Sequence, residues 1–256
     1  MIKHRRLVYL NTANRTSGVD ASNFMIRVPI TSHEILTHVC LVEASIPKSY
    51  YLIQAGFNTF TLMELDQPIT ITLVPGNYTA TCFRTCVANA LTTASTHGWT
   101  YTVTAPSPTE PNTGKFTYTV ANNTAQPSIV CTTNVYEQLG FNANSTNTFT
   151  SDTLVSSNVI RFISEDALYI HSDIVTGEGD DVLQEVYTAG VPDNGLINYK
   201  CLDWQIMSKP TVTKKGNVFR FALTDENARV MNLNGLDWNM TLMFLTMEES
   251  SSISPP

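Results

Sequence analysis

Few residues in this chain have the types and spacing that chemistry needs. His171 stands in Leu168-Tyr169-Ile170-His171-Ser172-Asp173. Alternate residues of a strand share a face, so His171 and Asp173 could form an acid–base pair. The plainer reading is two ordinary polar residues on one strand face. Cys82 and Cys86 are four apart, on neighbouring turns of a helix, as in half a metal site. No second Cys or His pair follows at ligand spacing, so they read as small residues on a buried helical stripe. Glu178, Asp180 and Asp181 lie among glycines, and oxygen ligands on such a loop suit calcium. Their spacing is not that of an EF-hand, and a solvated loop is expected. Trp99, Trp204 and Trp238 could stack on sugars, but each lies within or at the start of an alternating strand, which predicts core packing. Nucleophile-elbow, Walker and dinucleotide glycine patterns do not occur. No catalytic residue, cofactor or metal ligand is assigned, and an enzyme is not expected.

Composition narrows the class. The chain has 256 residues and a formal net charge of −7. That balance argues against a general nucleic-acid binder, which needs a basic face to displace counterions. Charged residues make up only 14%, against about a quarter in typical domains; Thr, Ser and Asn supply the polarity instead. No apolar run reaches the roughly 18 residues of a membrane span, and Leu7 to Leu10 is too short for a signal-peptide core. Five cysteines at irregular spacing are expected to be free thiols in a reducing compartment.

The elements that must position these residues are mostly strands. Period-two alternation or short apolar runs mark 5–11, 24–28, 39–46, 57–62 and 69–73. From Thr79 apolar residues recur at Ala80, Phe83, Val87, Ala90, Leu91 and Ala94, a 3.6-residue period, so a helix runs to about His97, with Asn77 or Thr79 as its N-cap. A hairpin pairs Trp99–Thr104 with Phe116–Val120, Ile129–Cys131 adds a strand, and Val135–Leu139 a helical turn. Asn142 to Ser157 reads as a connecting loop. Strands resume at 159–163, 168–174, 182–187 and 197–207. The chain closes with an alternating strand at 218–223 and a strand apolar on both faces at 238–247. In that last strand Met240, Leu242 and Phe244 face one way and Met243 and Leu245 the other, so both faces need cover.

The expected fold class is mainly β: a single jelly-roll antiparallel sandwich with a small α+β insertion. The expected parts are an N-terminal arm at 1–21, a discontinuous sandwich at 22–66 and 151–249, the insertion at 67–150, and a tail at 250–256. The closing strand is expected beside Phe24–Val28. An immunoglobulin-type sandwich competes, but its Cys and Trp landmarks are not visible.

Short signatures recur along the chain in order. They include Leu10-Asn11-Thr12-Ala13-Asn14-Arg15-Thr16, Ser22-Asn23-Phe24, Ala44-Ser45-Ile46-Pro47 with Tyr50-Tyr51, and Pro75-Gly76-Asn77-Tyr78-Thr79. Phe57-Asn58-Thr59-Phe60, Gln138-Leu139-Gly140-Phe141, Leu168-Tyr169-Ile170-His171-Ser172-Asp173, Phe219 to Asp225 and Leu233-Asn234-Gly235-Leu236-Asp237-Trp238 complete the series. Over nearly its whole length the chain resembles the penton, or vertex minor capsid, proteins of virophages, polinton-like viruses and large eukaryotic DNA viruses with double-jelly-roll capsids. The resemblance implies a structural virion protein, a homopentamer closing the fivefold vertices of an icosahedral capsid. Its implied partners are further copies of itself, the major capsid protein and other minor capsid proteins, and its implied insertion is an outer domain. Lys3, Arg5, Arg6 and Arg15 are the candidate capsid contacts. Another minor capsid or cement role, or a carbohydrate-binding attachment module, is the alternative.

Overall fold

A computed structural model describes residues 4–30, 35–106, 109, 111–163, 165–175, 181–212 and 216–247. The chain opens with β1 (His4–Asn11), a 3-10 turn at Thr12–Asn14, β2 (Ser17–Asp20), β3 (Asn23–Arg27) and the long β4 (Ile35–Pro47). Then come β5 (Thr59–Glu64), β6 (Gln67–Thr72), helix α1 (Ala80–Ala94), β7 (Thr100–Thr104), β8 (Thr117–Ala121) and β9 (Ser128–Cys131). A helical turn α2 (Tyr136–Leu139) leads to β10 (Ser145–Thr148) and β11 (Thr153–Val155). The last third holds β12 (Ala167–Ser172), β13 (Val182–Tyr187), β14 (Leu196–Lys200), the helical turn α3 (Trp204–Met207), β15 (Lys209–Pro210), β16 (Val218–Thr224) and β17 (Asn239–Met247). These elements divide into two compact units, one of Met1–Tyr50 with Glu165–Pro256, the other of Tyr51–Ser164.

The first unit is a jelly roll by strand order. One sheet runs β1-β17-β4-β14 and the other β13-β12-β16-β3-β2, all antiparallel. Count its eight main strands in chain order: β1, β3, β4, β12, β13, β14, β16, β17. The sheets then read first-eighth-third-sixth and second-seventh-fourth-fifth. First pairs with eighth, second with seventh, third with sixth and fourth with fifth, as in one long antiparallel ribbon rolled into a sandwich. Alternation supplies the core between the sheets: Val8 and Leu10, Phe24 and Ile26, Leu168 and Ile170, Phe219, Phe221 and Leu223, Leu242 and Phe244 are all buried.

The second unit packs α1 with two small sheets, β10-β9-β5-β6 and β11-β8-β7. Thr79 caps α1, its hydroxyl accepting from the Cys82 N–H at 3.2 Å. Phe83, Val87 and Leu91 form the buried stripe. Glu64 is wholly buried in this unit. Its carboxyl oxygens accept from the Tyr101 hydroxyl at 2.8 Å and the Ser95 hydroxyl at 3.1 Å. Burial, with Glu64 as acceptor, pushes the Tyr101 phenol well up from its ordinary value. Ser95 also accepts from the Trp99 N–H at 2.9 Å, so Glu64 anchors the connection from α1 to β7. Glu64→Ala leaves both hydroxyls without their acceptor and should cost about 2–3 kcal/mol, read as a lower urea midpoint. An unchanged midpoint would show that the carboxyl holds nothing.

Several expected boundaries move. Residues 5–11 are no part of a free arm, because His4–Asn11 pairs residue by residue with Thr246–Asn239. The closing strand therefore lies between β1 and β4, while Phe24–Arg27 pairs with β16 in the opposite sheet. A start of the insertion at residue 67 falls inside a hairpin: β5 and β6 are paired from Thr59↔Thr72 to Glu64↔Gln67. Its turn is Leu65-Asp66, both with positive φ, and carries no Gly or Asn signal. An end at 150 cuts Thr150 from its bridge to Thr153, and β11 pairs with β8. The expected loop at 142–157 thus contains β10 and β11. Residues 159–163 form no strand, and Val159 and Ile163 are exposed. The expected strand at 197–207 ends at Lys200 and is followed by α3. Cys82 is exposed and Cys86 half-buried, beside the buried stripe of α1 and not on it.

Candidate interaction surface

The outer face of the β1-β17-β4-β14 sheet is where the two-faced last strand needed cover. Cys40, Met243 and Leu245 form a small buried cluster there, with Val42, Cys201 and Trp204 packed against it. The cover comes from the segment after β14. Asp203 caps α3 by accepting from the Gln205 N–H at 2.9 Å, and the turn lays Trp204 over the sheet. Arg5, on the outward register of β1 opposite Leu245, places its guanidinium 4.1 Å from the centroid of the Trp204 ring, a cation–π contact. Around this plug the surface stays apolar: Leu7 and Tyr9 on β1, and Leu202, Ile206 and Met207 around α3, are exposed. Beside α3, a groove of about 390 Å³ runs along β13, lined by Val182, Leu183, Ile206 and Met207 with Glu185 and Lys209. Both β1 and β13 are sheet edges, with one backbone side unpaired in the sheet order, the geometry through which strands add to one another.

The four basic candidates do not form one patch. Lys3 lies outside the described residues. Arg5 holds the outer face beside Trp204. Arg6 is on the inward register of β1, opposite Phe244, and half-buried. Arg15 lies past the far end of β1, whose run from Arg5 to Asn11 is about 20 Å at 3.3 Å per residue. There its guanidinium donates to Asp237 Oδ1 at 2.8 Å and to the Thr12 carbonyl at 2.9 Å.

That second location joins the sequence signatures. The Thr12 hydroxyl donates to Asp237 Oδ1 at 2.8 Å and accepts from the Trp238 N–H at 2.9 Å. The Thr12 N–H donates to the Trp238 carbonyl at 3.0 Å. The Trp238 indole N–H reaches the Ala21 carbonyl at 2.7 Å, and its ring meets Phe24 edge-on at 6.1 Å. Nearby, the Ser49 hydroxyl donates to the Leu233 carbonyl at 2.7 Å, and the Asn234 amide donates to the Ser49 carbonyl at 2.5 Å. The signatures Leu10–Thr16 and Leu233–Trp238 are thus hydrogen-bonded to one another, with Ala21, Phe24 and Ser49 joined to the second of them.

His171 has a partner that spacing could not show. Its Nδ1 lies 2.7 Å from Asp181 Oδ1 and its Nε2 2.9 Å from Thr224 Oγ1. Asp173 instead accepts from the Arg220 backbone N–H at 2.8 Å. An Asp–His–hydroxyl chain has the order of a nucleophile triad. Here the Thr224 hydroxyl donates to the Asp225 carbonyl at 3.2 Å and Thr224 is buried, so the chain ties β12, β16 and residue 181 together. Of the proposed calcium loop, Glu178 and Asp180 lie outside the described residues. Among the described residues no group of three His, Cys, Asp or Glu side chains is placed to hold a metal, and no helix is long and apolar enough to cross a membrane. Trp99 and Trp238 are buried in the cores, whereas Trp204 is half-buried on the outer face.

No family model matches this chain, and no curated protein does. Among solved structures it is similar to one described as the crystal structure of SeMet-labelled mavirus penton protein. The match covers 94% of this chain and 100% of that one, at 11% identity and a TM-score of 0.43. The jelly roll assigned here rests on the strand order of the two sheets and not on that likeness.

Proposed function

We propose that this chain is a structural protein of a viral capsid, a homopentameric penton that closes fivefold vertices. In this reading it has no catalytic role and belongs to the virion. It meets copies of itself, the major capsid protein and other minor capsid proteins. The observation that carries the reading is the corner at Thr12, Ser49, Asp237 and Trp238. Two signatures of the penton resemblance from opposite ends of the chain, Leu10–Thr16 and Leu233–Trp238, are joined there by hydrogen bonds, Phe24 of a third packs on Trp238, and Ser49, beside a fourth, bonds to Leu233. Residues spent on joining the two ends of a jelly roll suit a building block whose function is its shape. A ring of five closes through one heterologous contact repeated around an axis. The contacts proposed for the surrounding capsid are Lys3, Arg5 and Arg6, with Arg15 serving the corner through Asp237.

The test is the mass of the purified protein in solution. Five times the 28.3 kDa of one chain is expected by light scattering; a monomer at all concentrations overturns the pentamer. Replacement of Lys3, Arg5 and Arg6 together by alanine should preserve the pentamer and lower incorporation into particles. Unchanged incorporation removes these residues from the capsid contact.

A further inference from the structure

We propose that Cys40 and Cys201 are an oxidative modification site, a dithiol that a peroxide converts into an intramolecular disulfide tying α3 to the outer face of the sandwich. The two residues are 161 apart in the chain, yet their sulfurs lie 3.6 Å apart. Cys40 comes from the middle of β4. Cys201 follows the last residue of β14, and its backbone N–H donates to the Val42 carbonyl at 2.7 Å. That bond sets Cys201 opposite Val42 and makes Cys40 its diagonal neighbour across the strand pair, independently of the thiols. Diagonal α-carbons are about 7–8 Å apart, so the bond also needs the Cys201 backbone to move towards β4. A disulfide needs the sulfurs at about 2.05 Å, a closure of roughly 1.5 Å. Side-chain rotation and a small shift of Cys201, which lies in a connection and not in a strand, can supply it.

The surroundings divide the labour between the sulfurs. Cys201 is partly exposed and open to a small oxidant, whereas Cys40 is fully buried. Burial, with the neighbouring Cys201 sulfur, pushes the Cys40 thiol up to about 12, so it does not start the reaction. The Cys201 thiolate attacks hydrogen peroxide, forming Cys201 sulfenic acid and hydroxide. The Cys40 sulfur then attacks the sulfenic sulfur; the S–O bond breaks, and the thiol proton leaves with the hydroxyl as water. Overall two thiols and one peroxide give one disulfide and two waters, with the thiols oxidised by two electrons.

The chain contains its own control. Cys82 and Cys86 have sulfurs 3.9 Å apart, but they stand on successive turns of α1. Their β-carbons are then about 5–6 Å apart, whereas a disulfide needs about 3.8 Å, and the helix cannot give. The sulfurs are similarly close in the two pairs; the difference is that Cys82 and Cys86 are both fixed inside a helix, whereas Cys201 follows the end of a strand, where the backbone can shift.

The experiment uses the full-length protein, reduced, freed of reductant and titrated with hydrogen peroxide. Free thiols should fall from the five of the sequence to three. Non-reducing peptide mapping should show the Cys40 and Cys201 peptides joined, lighter by two hydrogens and parted by dithiothreitol. The bond closes a long loop, so the oxidised protein should melt about 5 °C or more higher, with the shift lost in Cys201→Ser and in Cys40→Ala. A Cys82–Cys86 bond forming first would overturn the proposal. So would Cys201 passing to sulfinic acid with Cys40 still free, or links only between separate chains. The mapping of the unaltered protein decides the matter even if a variant fails to fold. The outcome is independent of the capsid reading, which the solution mass tests.

Discussion

Trp238→Ala should be the most damaging single substitution in the sandwich, lowering stability by about 3–5 kcal/mol. The side chain is 1% exposed and packs edge-on against Phe24, which stacks on Phe221 at 5.8 Å. Truncation opens a cavity between the sheets where the surrounding backbone is hydrogen-bonded and cannot collapse. It also removes the donor to the Ala21 carbonyl. Trp238→Phe keeps most of the packing and loses that donor, so it should cost about 1–2 kcal/mol. Urea unfolding measures both. Equal midpoints for the alanine variant and the unaltered protein would mean that this corner does not hold the sandwich together. Asp237→Ala, which strips acceptors from the Thr12 hydroxyl and the half-exposed Arg15, should fall between wild type and Trp238→Ala.

Removing residues 51–164 and joining Tyr50 to Glu165 by a short Gly/Ser linker should leave a cooperatively folding β protein. The eight-strand order is complete without the second unit, and the buried cluster between its sheets draws on no residue from 51–164. The cut ends also lie near a common residue. The Glu165 carbonyl accepts from the Thr188 hydroxyl. Tyr50 is buried beside Thr188 and Glu165, and burial foremost pushes its phenol up to about 12. A linker of a few residues therefore asks little of the chain, since closure entropy grows only slowly with loop length. A sharp thermal transition with a strand-rich circular dichroism spectrum is the expected result. A broad, non-cooperative transition would show that the sandwich needs its insertion to fold. The corresponding cut at 67 and 150 should fail, because it splits the β5–β6 hairpin and strands β5 without its partner.

Alternation and the 3.6-residue period determined most of the elements, because burial on one face writes itself directly into residue order. The strands around Phe24, Val39 and Phe219, the helix from Ala80, and the two faces of Met240–Leu245 were legible in this way. So was the class, a mainly β jelly roll with an α+β insertion. Three things were left to the tertiary structure, each because it depends on partners far apart in the chain. Strand pairing is one: Phe24–Arg27 and His4–Asn11 carry equally good alternation, and only closure of the sandwich places β1 beside β17. Turns without glycine are another, as at Leu65-Asp66, where paired strands on both sides impose left-handed angles that the residue types do not announce. Side-chain meeting points are the third. Nothing local tells that His171 reaches Asp181 and passes over Asp173, that Arg15 is held by Asp237, or that Cys40 lies against Cys201. A residue's face is set by its neighbours in sequence; what it touches across that face is set by the roll of the whole sheet.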